Sequence, residues 1–328
     1  MTGPVLVLVD QTETVLTNPT RELLTLARQV SPDRAPVAVW LGAPDAVDLA
    51  GLGAFGVEQV LVPDLTGVDA HAPVAAAEAL AAAVAAAEPE ALLFASTFVT
   101  KEVAAVLAVL LRTGAVVDGT GLSRAADGAL VVEKTVFAST WTTRCAVVGG
   151  GPALLGLKSH AVEPAPVATP TAPAVVPVPV AFTPAASAVR ILERTERHSD
   201  DGRPNLTDAR VVVVGGRGVE GDFSLVEELA DVLGGAVGAT RVATDEGWID
   251  HAAQIGQTGV SVAPRLYIGA GVSGAVHHRS GMQAAEVIVA VNTDQDAPIF
   301  EIADLGIVGD LTEVLPQAAA EIRRLRGE

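Results

Sequence analysis

Gly215-Gly216-Arg217-Gly218-Val219-Glu220-Gly221 follows four consecutive valines, Val211–Val214, and precedes a helical pattern near Phe223 to Leu233. Gly216-x-Gly218-x-x-Gly221 has the spacing of a dinucleotide-binding turn. Its glycines let a backbone approach a phosphate, and the N-terminus of the next helix favours negative charge. In a chain with 32 glycines the spacing alone is weak, and its place between strand and helix is what gives it weight. The fingerprint also needs an acid about 20 residues on, for a ribose hydroxyl. Here the end of the next strand carries Thr240-Arg241 instead. An arginine there suits the extra phosphate of NADP, so a nicotinamide-dependent oxidoreductase is one reading. Against it, no Ser/Tyr/Lys or His/Asp pair stands at catalytic spacing. No glycine run continues into Gly-Lys-Ser/Thr, which excludes a P-loop.

Other reactive residue types have plain structural readings. His277-His278 could hold a metal, but adjacent side chains rarely ligate one ion and no Cys, Asp or Glu spacing joins them. Arg241 alone reads as a surface ion-pair arginine, Thr258 between glycines as a turn residue, and Asp310 as a helix N-cap. Cys145, the single cysteine, lies in the apolar run Cys145-Ala146-Val147-Val148 and reads as a buried structural thiol. With no second cysteine, nothing implies an oxidising compartment.

The elements that must carry these residues follow an α/β pattern. Val5–Val9, Val37–Leu41, Val60–Val62 and Ala91–Ala95 read as strands. Pro19 to Val30, Ala75–Ala87 and Lys101 to Arg112 read as helices between them. Such alternation implies a mostly parallel sheet with right-handed crossovers. Beyond Val116 the segments Ala129–Val136, Phe137–Val148 and Ala153–Leu157 favour strands and predict an antiparallel extension of that sheet. A proline-rich run near 163–184 predicts an extended connector, since repeated proline forbids helix and disfavours central strands. Polar residues from Glu193 to Thr207 follow, and the domain boundary is placed there, giving domains 1–197 and 198–328. Val211–Val214, Ala236–Ala239, Leu266–Ile268 and Val287–Val291 are the strands of the second domain. Leu311, Val314, Leu315, Ala318, Ile322 and Leu325 recur at helical spacing behind Asp310. The expected fold class is α/β: an N-terminal Rossmann-like parallel-sheet domain and a C-terminal doubly wound domain.

Composition narrows the function. A formal net charge of −18 without a basic cluster argues against nucleic acid. No apolar stretch reaches the ~18 residues that a bilayer span needs, so no membrane insertion is expected. No basic leader precedes the Val5–Val9 strand, and the default location is the cytoplasm.

Several further segments occur together in order: Gly238-Ala239-Thr240-Arg241, Gln254-Ile255-Gly256-Gln257-Thr258-Gly259, Leu266-Tyr267-Ile268-Gly269-Ala270-Gly271-Val272-Ser273-Gly274-Ala275-Val276-His277-His278, Val289 to Asn292 running on to Phe300, and Ala303 to Leu311. With these the chain resembles the alpha subunit of electron transfer flavoproteins, most closely from about Val211 to Pro316. In the first half, Ala91 to Ser96 and Lys101-Glu102-Val103 resemble the family more loosely.

The resemblance implies FAD held in an extended pose by the C-terminal domain. Arg217 would face the cofactor from the glycine turn, and Thr240 and Arg241 would approach the flavin. Gln257 and Thr258 would fall in the family's Gln-Thr-Gly segment, with the Thr258 hydroxyl near flavin N5, and Gln254, Ile255 and Gly256 just before them would also bind the cofactor. Ser273, Gly274, Ala275, Val276, His277 and His278 would carry pyrophosphate and flavin contacts, His278 near the N1/O2 edge. Asn292, Asp310 and Leu311 would bind the adenosine end. His277 departs from the family's pattern, standing where many relatives have glutamine. Positive charge at Arg241, and a hydrogen bond or charge from His278, would stabilise electrons gained by the flavin. The resemblance further implies a heterodimer with a beta subunit. Electrons would come from flavin dehydrogenases, such as the acyl-CoA dehydrogenases of fatty acid β-oxidation, and leave to a quinone oxidoreductase. No side-chain acid/base catalysis and no metal are expected.

Overall fold

The computed structural model describes residues 3–12, 15–137, 141–159, 161–193, 202–207 and 209–327. It divides into two compact units, Met1–Val136 with Thr142–Thr195, and Phe137–Trp141 with Glu196–Glu328. The boundary expected between 197 and 198 lies outside the described residues.

The first unit runs β1 (Val5–Leu8), β2 (Gln11–Thr12), β3 (Val15–Leu16), α1 (Asn18–Val30), β4 (Val37–Val39), α2 (Leu49–Ala54), β5 (Gln59–Pro63), α3 (Pro73–Ala87), β6 (Ala91–Ala95) and α4 (Phe98–Leu111). It continues with β7 (Ala115–Gly119), β8 (Gly121–Arg124), β9 (Leu130–Val136), β10 (Trp141–Cys145), β11 (Ala153–Leu157), β12 (Ala174–Val178) and α5 (Pro184–Ala188). The main sheet has the order β12-β5-β4-β1-β6-β11-β7, with parallel pairing throughout. Alternation explains why it is buried on both faces. Val5 and Val7 of β1 pack with Leu23, Leu24 and Ala27 of α1, while Leu6 packs with Leu80 of α3 and Leu107 of α4.

Three expectations change here. The segments beyond Val116 do not extend the sheet antiparallel. β8, β9 and β10 form a separate three-stranded sheet, and β11 enters the main sheet parallel, between β6 and β7. The proline-rich run is not connector throughout, because β12 pairs with β5 in parallel with Pro177 inside it. That strand is an edge, where a missing N–H breaks no ladder. Its approach is tied to α1: the backbone N–H groups of Ala161 and Ala165 donate to Glu22 Oε2 and Thr25 Oγ1, each at 3.1 Å. Cys145 ends β10 only half-buried, with Val148 exposed just beyond, and of the apolar run around it Val147 packs against the core.

The second unit runs β13 (Val211–Gly215), α6 (Ser224–Leu233), β14 (Ala236–Ala239), α7 (Arg241–Asp245), β15 (Leu266–Ala270), α8 (Val276–Arg279), β16 (Val287–Asn292), β17 (Leu305–Val308) and α9 (Leu311–Arg326). Its five strands are parallel in the order β14-β13-β15-β16-β17. Val213 and Ile268 face a core shared with α6 and α9, and Val212, Val214 and Tyr267 face the opposite one with Ile255 and Met282. This is the doubly wound order 2-1-3-4-5, whose chain direction switches between β13 and β15. Ligands of such sheets sit at the carboxyl ends of the strands at that switch. Asp310 caps α9, and Leu311, Leu315 and Ala319 are its buried stripe, while Leu325, expected on that stripe, is exposed.

Candidate functional site

A cleft of about 670 Å³ opens at the carboxyl ends of these strands. It gathers Arg217, Thr240 and Arg241, the stretch from Gln254 to Thr258, Ser273, Gly274 and Ala275, His277 and His278, and Asn292, Asp310 and Leu311. Of the residues expected from sequence, Val276 alone does not line it, and its side chain is exposed on α8. Glu220 of the glycine turn and Thr293, Asp294 and Pro298 of the segment running on to Phe300 also line the cleft with no role expected of them, as do Val242 and Thr312, to which no sequence signal pointed.

The glycine turn works differently from its fingerprint. The Gly216 N–H donates to the Ala270 carbonyl at 2.9 Å, and the Gly218 N–H to the Gly271 carbonyl at 3.1 Å. A Cβ at Gly216 would lie 2.3 Å from the Gly271 oxygen, and one at Gly218 would lie 2.7 Å from the Gly271 Cα. These glycines therefore lock two strand-end turns together, and their donors are already used. The N-terminus of α6 is not part of the cleft, and Asp222 already accepts from the Ser224 N–H there at 2.9 Å. Free donors lie across the switch point: the amides of Ser273, Gly274 and Ala275 find no acceptor among the described residues. Three such amides on one turn form a concavity suited to an anion.

Thr240 lines the cleft from the start of α7, yet its hydroxyl makes no capping bond. Its Oγ1 is buried and has no partner among the described residues. An unpaired buried hydroxyl costs about 1–3 kcal/mol, and a polar group in the cleft would remove that cost. Gln254, which is buried, holds a second hydroxyl in place. Its Oε1 accepts from Thr244 Oγ1 at 2.8 Å, and its Nε2 donates to Thr258 Oγ1 at 2.9 Å. With one lone pair of Thr258 occupied, its own proton is left to donate.

Charge at the cleft is supplied by arginine. Arg241 stands exposed at the lip, in an i,i+4 ion pair with Asp245 at 3.0 Å. Such a pair contributes little, so the guanidinium can turn to an anion at small cost. The surroundings of His278 oppose both roles expected of it, a charge and a hydrogen bond to the ligand. Burial pushes its pKa down to about 4. Nδ1 lies 3.0 Å from the Ile255 carbonyl oxygen and Nε2 lies 2.7 Å from the Tyr267 hydroxyl. A carbonyl only accepts, so Nδ1 carries the proton and Nε2 accepts from the phenol. Both nitrogens are thus turned to the protein. His277 is exposed on the cleft wall, and its carbonyl accepts the Gln257 N–H at 2.8 Å.

Asn292 and Asp310 brace the far end. Asn292 Nδ2 donates to the Val272 carbonyl at 2.9 Å, and its Oδ1 accepts from the Asp294 N–H at 2.9 Å. Asp310 accepts from both the Thr312 hydroxyl and N–H, at 2.7 and 2.8 Å, and these bonds hold its pKa below the usual carboxylate value. The free amides of Ser273, Gly274 and Ala275 and the exposed Arg241 guanidinium therefore fit a ligand that carries an anionic group. Among the described residues no group of His, Cys, Asp and Glu could hold a metal ion, and no helix is long and apolar enough to cross a membrane.

Two family models match stretches of this chain. Residues 5–183 match the family model of the electron transfer flavoprotein domain, and residues 205–283 match that of the electron transfer flavoprotein FAD-binding domain. The chain is 40% identical to the electron transfer flavoprotein subunit alpha of Mycobacterium leprae, over 98% of this chain and 99% of that one. It is 32% identical to the protein of that name from Bacillus subtilis, over 98% of each. A mitochondrial subunit alpha from Arabidopsis thaliana is 55% identical over 36% of this chain and 33% of its own.

Proposed function

This chain belongs to the alpha-subunit family of electron transfer flavoproteins, and from that premise we propose that it holds FAD in the cleft of its second unit and carries electrons between other redox proteins. When bound, FAD supplies reversible uptake and release of electrons. One observation supports the placement above others: Thr240, whose buried hydroxyl has no partner among the described residues, lines the same switch-point cleft as the free amides. In this reading Ser273, Gly274 and Ala275 cradle the pyrophosphate through backbone N–H groups. Thr258 donates a hydrogen bond to the flavin ring with its hydroxyl oriented by Gln254. Arg241 turns from Asp245 to place positive charge beside the ring. His278 walls the pocket as a neutral group, and Asn292, Asp310 and Leu311 take the adenosine end. None of these side chains needs to take up or release a proton, so the chain acts as a carrier rather than as an acid/base catalyst.

The proposal includes a beta subunit as partner, flavin dehydrogenases such as acyl-CoA dehydrogenases as donors, and a quinone oxidoreductase as acceptor. Its test is to purify the tagged chain from its host with whatever subunit accompanies it. An acyl-CoA dehydrogenase with substrate is then added anaerobically and the visible spectrum followed. Bleaching of bound flavin that reverses on addition of a quinone oxidoreductase and quinone is expected. A flavin that stays oxidised with every acyl-CoA dehydrogenase of the host would remove that donor class.

A further inference from the structure

The chain contains eighteen arginines but only three lysines, Lys101, Lys134 and Lys158. All three come together in the first unit, at the carboxyl end of its sheet. Lys158 follows β11, whose last residue Leu157 pairs with Ala95 of β6 on one side and Gly119 of β7 on the other. Its N–H donates to the Gly119 carbonyl at 2.8 Å. Lys101 stands in the first turn of α4, directly after β6, with Nζ 2.6 Å from Asp118 Oδ1 at the end of β7. Lys134 arrives from β9, where the carbonyl of the preceding Glu133 accepts the Thr120 N–H at 2.8 Å, just past β7.

Charge at this cluster does not balance. Asp118 pairs with Lys101 and also accepts from Ser96 Oγ at 3.1 Å. Neither Lys134 nor Lys158 has a carboxylate within ion-pair distance among the described residues. All three lysines are half-buried. Burial lowers the pKa of Lys158, and repulsion from Lys101 and Lys134 lowers it further against the pull of Asp118. Partly desolvated like charges facing one carboxylate are unfavourable unless an anion joins them. The position adds a second argument, since ligands of parallel α/β sheets bind beyond the carboxyl ends of the strands. Phe98 is 82% exposed, with Lys101 Nζ 5.7 Å from its ring centroid.

We propose that Lys101, Lys134 and Lys158 form an anion site in the first unit that takes a phosphate group, either as inorganic phosphate or at the end of a nucleotide whose base lies on Phe98. This site goes beyond the electron-carrier reading and does not depend on it.

Inorganic phosphate and AMP are titrated calorimetrically into the full-length chain saturated with FAD, wild type and variants, so that the cleft of the second unit is already filled. Lys158→Met and Lys134→Met are each expected to weaken binding about tenfold or more, and Lys158→Arg to preserve it by keeping the charge. Equal affinity for phosphate and AMP identifies a simple oxyanion site. Tighter AMP binding that Phe98→Ala brings down to the level of phosphate identifies a nucleotide phosphate. If Lys158→Met does not fold, Lys134→Met carries the same comparison. The proposal is overturned if neither ligand binds the wild type, or if binding survives both methionine variants.

Discussion

The Tyr267 hydroxyl lies 2.7 Å from Nε2 of His278, whose Nδ1 lies 3.0 Å from the Ile255 carbonyl oxygen, so a histidine bordering the cleft is fixed as its neutral Nδ1–H tautomer. Its pKa, pushed down to about 4 by burial, lies below the ordinary 6.5. As pH falls, the unfolded chain takes up this proton before the folded chain does. The stability that His278 contributes is therefore complete above pH 6.5 and is lost as pH falls from 6.5 to about 4, on the order of 3 kcal/mol over the window. Urea melts at several pH values should show that slope, and His278→Gln should flatten it. An unchanged slope in the variant would place the acid sensitivity elsewhere.

Close approach of two turns gives a second prediction. A Cβ at Gly218 would sit 2.7 Å from the Gly271 Cα, backbone against backbone, with no flexible side chain to yield. Gly218→Ala should force the turns apart and destabilise the chain by about 1–3 kcal/mol, as overpacking does. FAD affinity should fall with it, because Gly271 leads into the Ser273–Ala275 amides. Gly121→Ala is the control, since its Cβ would meet Glu133 Cβ at an ordinary 3.8 Å. Thermal melts of both variants decide the matter, and equal Tm values would contradict the account.

Thr240 makes opposite predictions for the free and loaded chain. Its hydroxyl is buried without a partner. Thr240→Val keeps the shape and removes the unpaired group, so the FAD-free chain should be as stable as wild type or more stable by about 1 kcal/mol. On the proposed reading, in which FAD supplies the hydroxyl's partner, FAD affinity should fall about tenfold. Melts without FAD and titration with FAD separate the two effects. A variant that loses stability without FAD would mean the hydroxyl already has a partner in the protein.

Much of this was legible in the sequence, for identifiable reasons. Val211–Val214 and Leu266–Ile268 were readable as strands because a parallel strand is apolar on both faces. Asp310 was readable as a cap because its side chain acts on Thr312, two residues away. The loop segments of the cleft were found through their order and spacing, which the family resemblance ties to one cofactor. What stayed hidden depends on partners distant along the chain. Gly216 donates its amide to Ala270, which no turn spacing reveals. Tyr267 sits in an apolar run and reads as core, and only the fold brings it to His278 eleven residues on. β11 is strand-like in sequence, but its place between β6 and β7 is set by packing against residues up to about sixty positions earlier.

The most direct test of the central claim is a visible absorption spectrum of the full-length chain, purified from its host and then titrated with FAD. The account predicts flavin bands at one FAD per chain, on purification or after addition, and weaker loading in Thr240→Val. A chain that is colourless and remains so with excess FAD would contradict it, whatever the family to which it belongs.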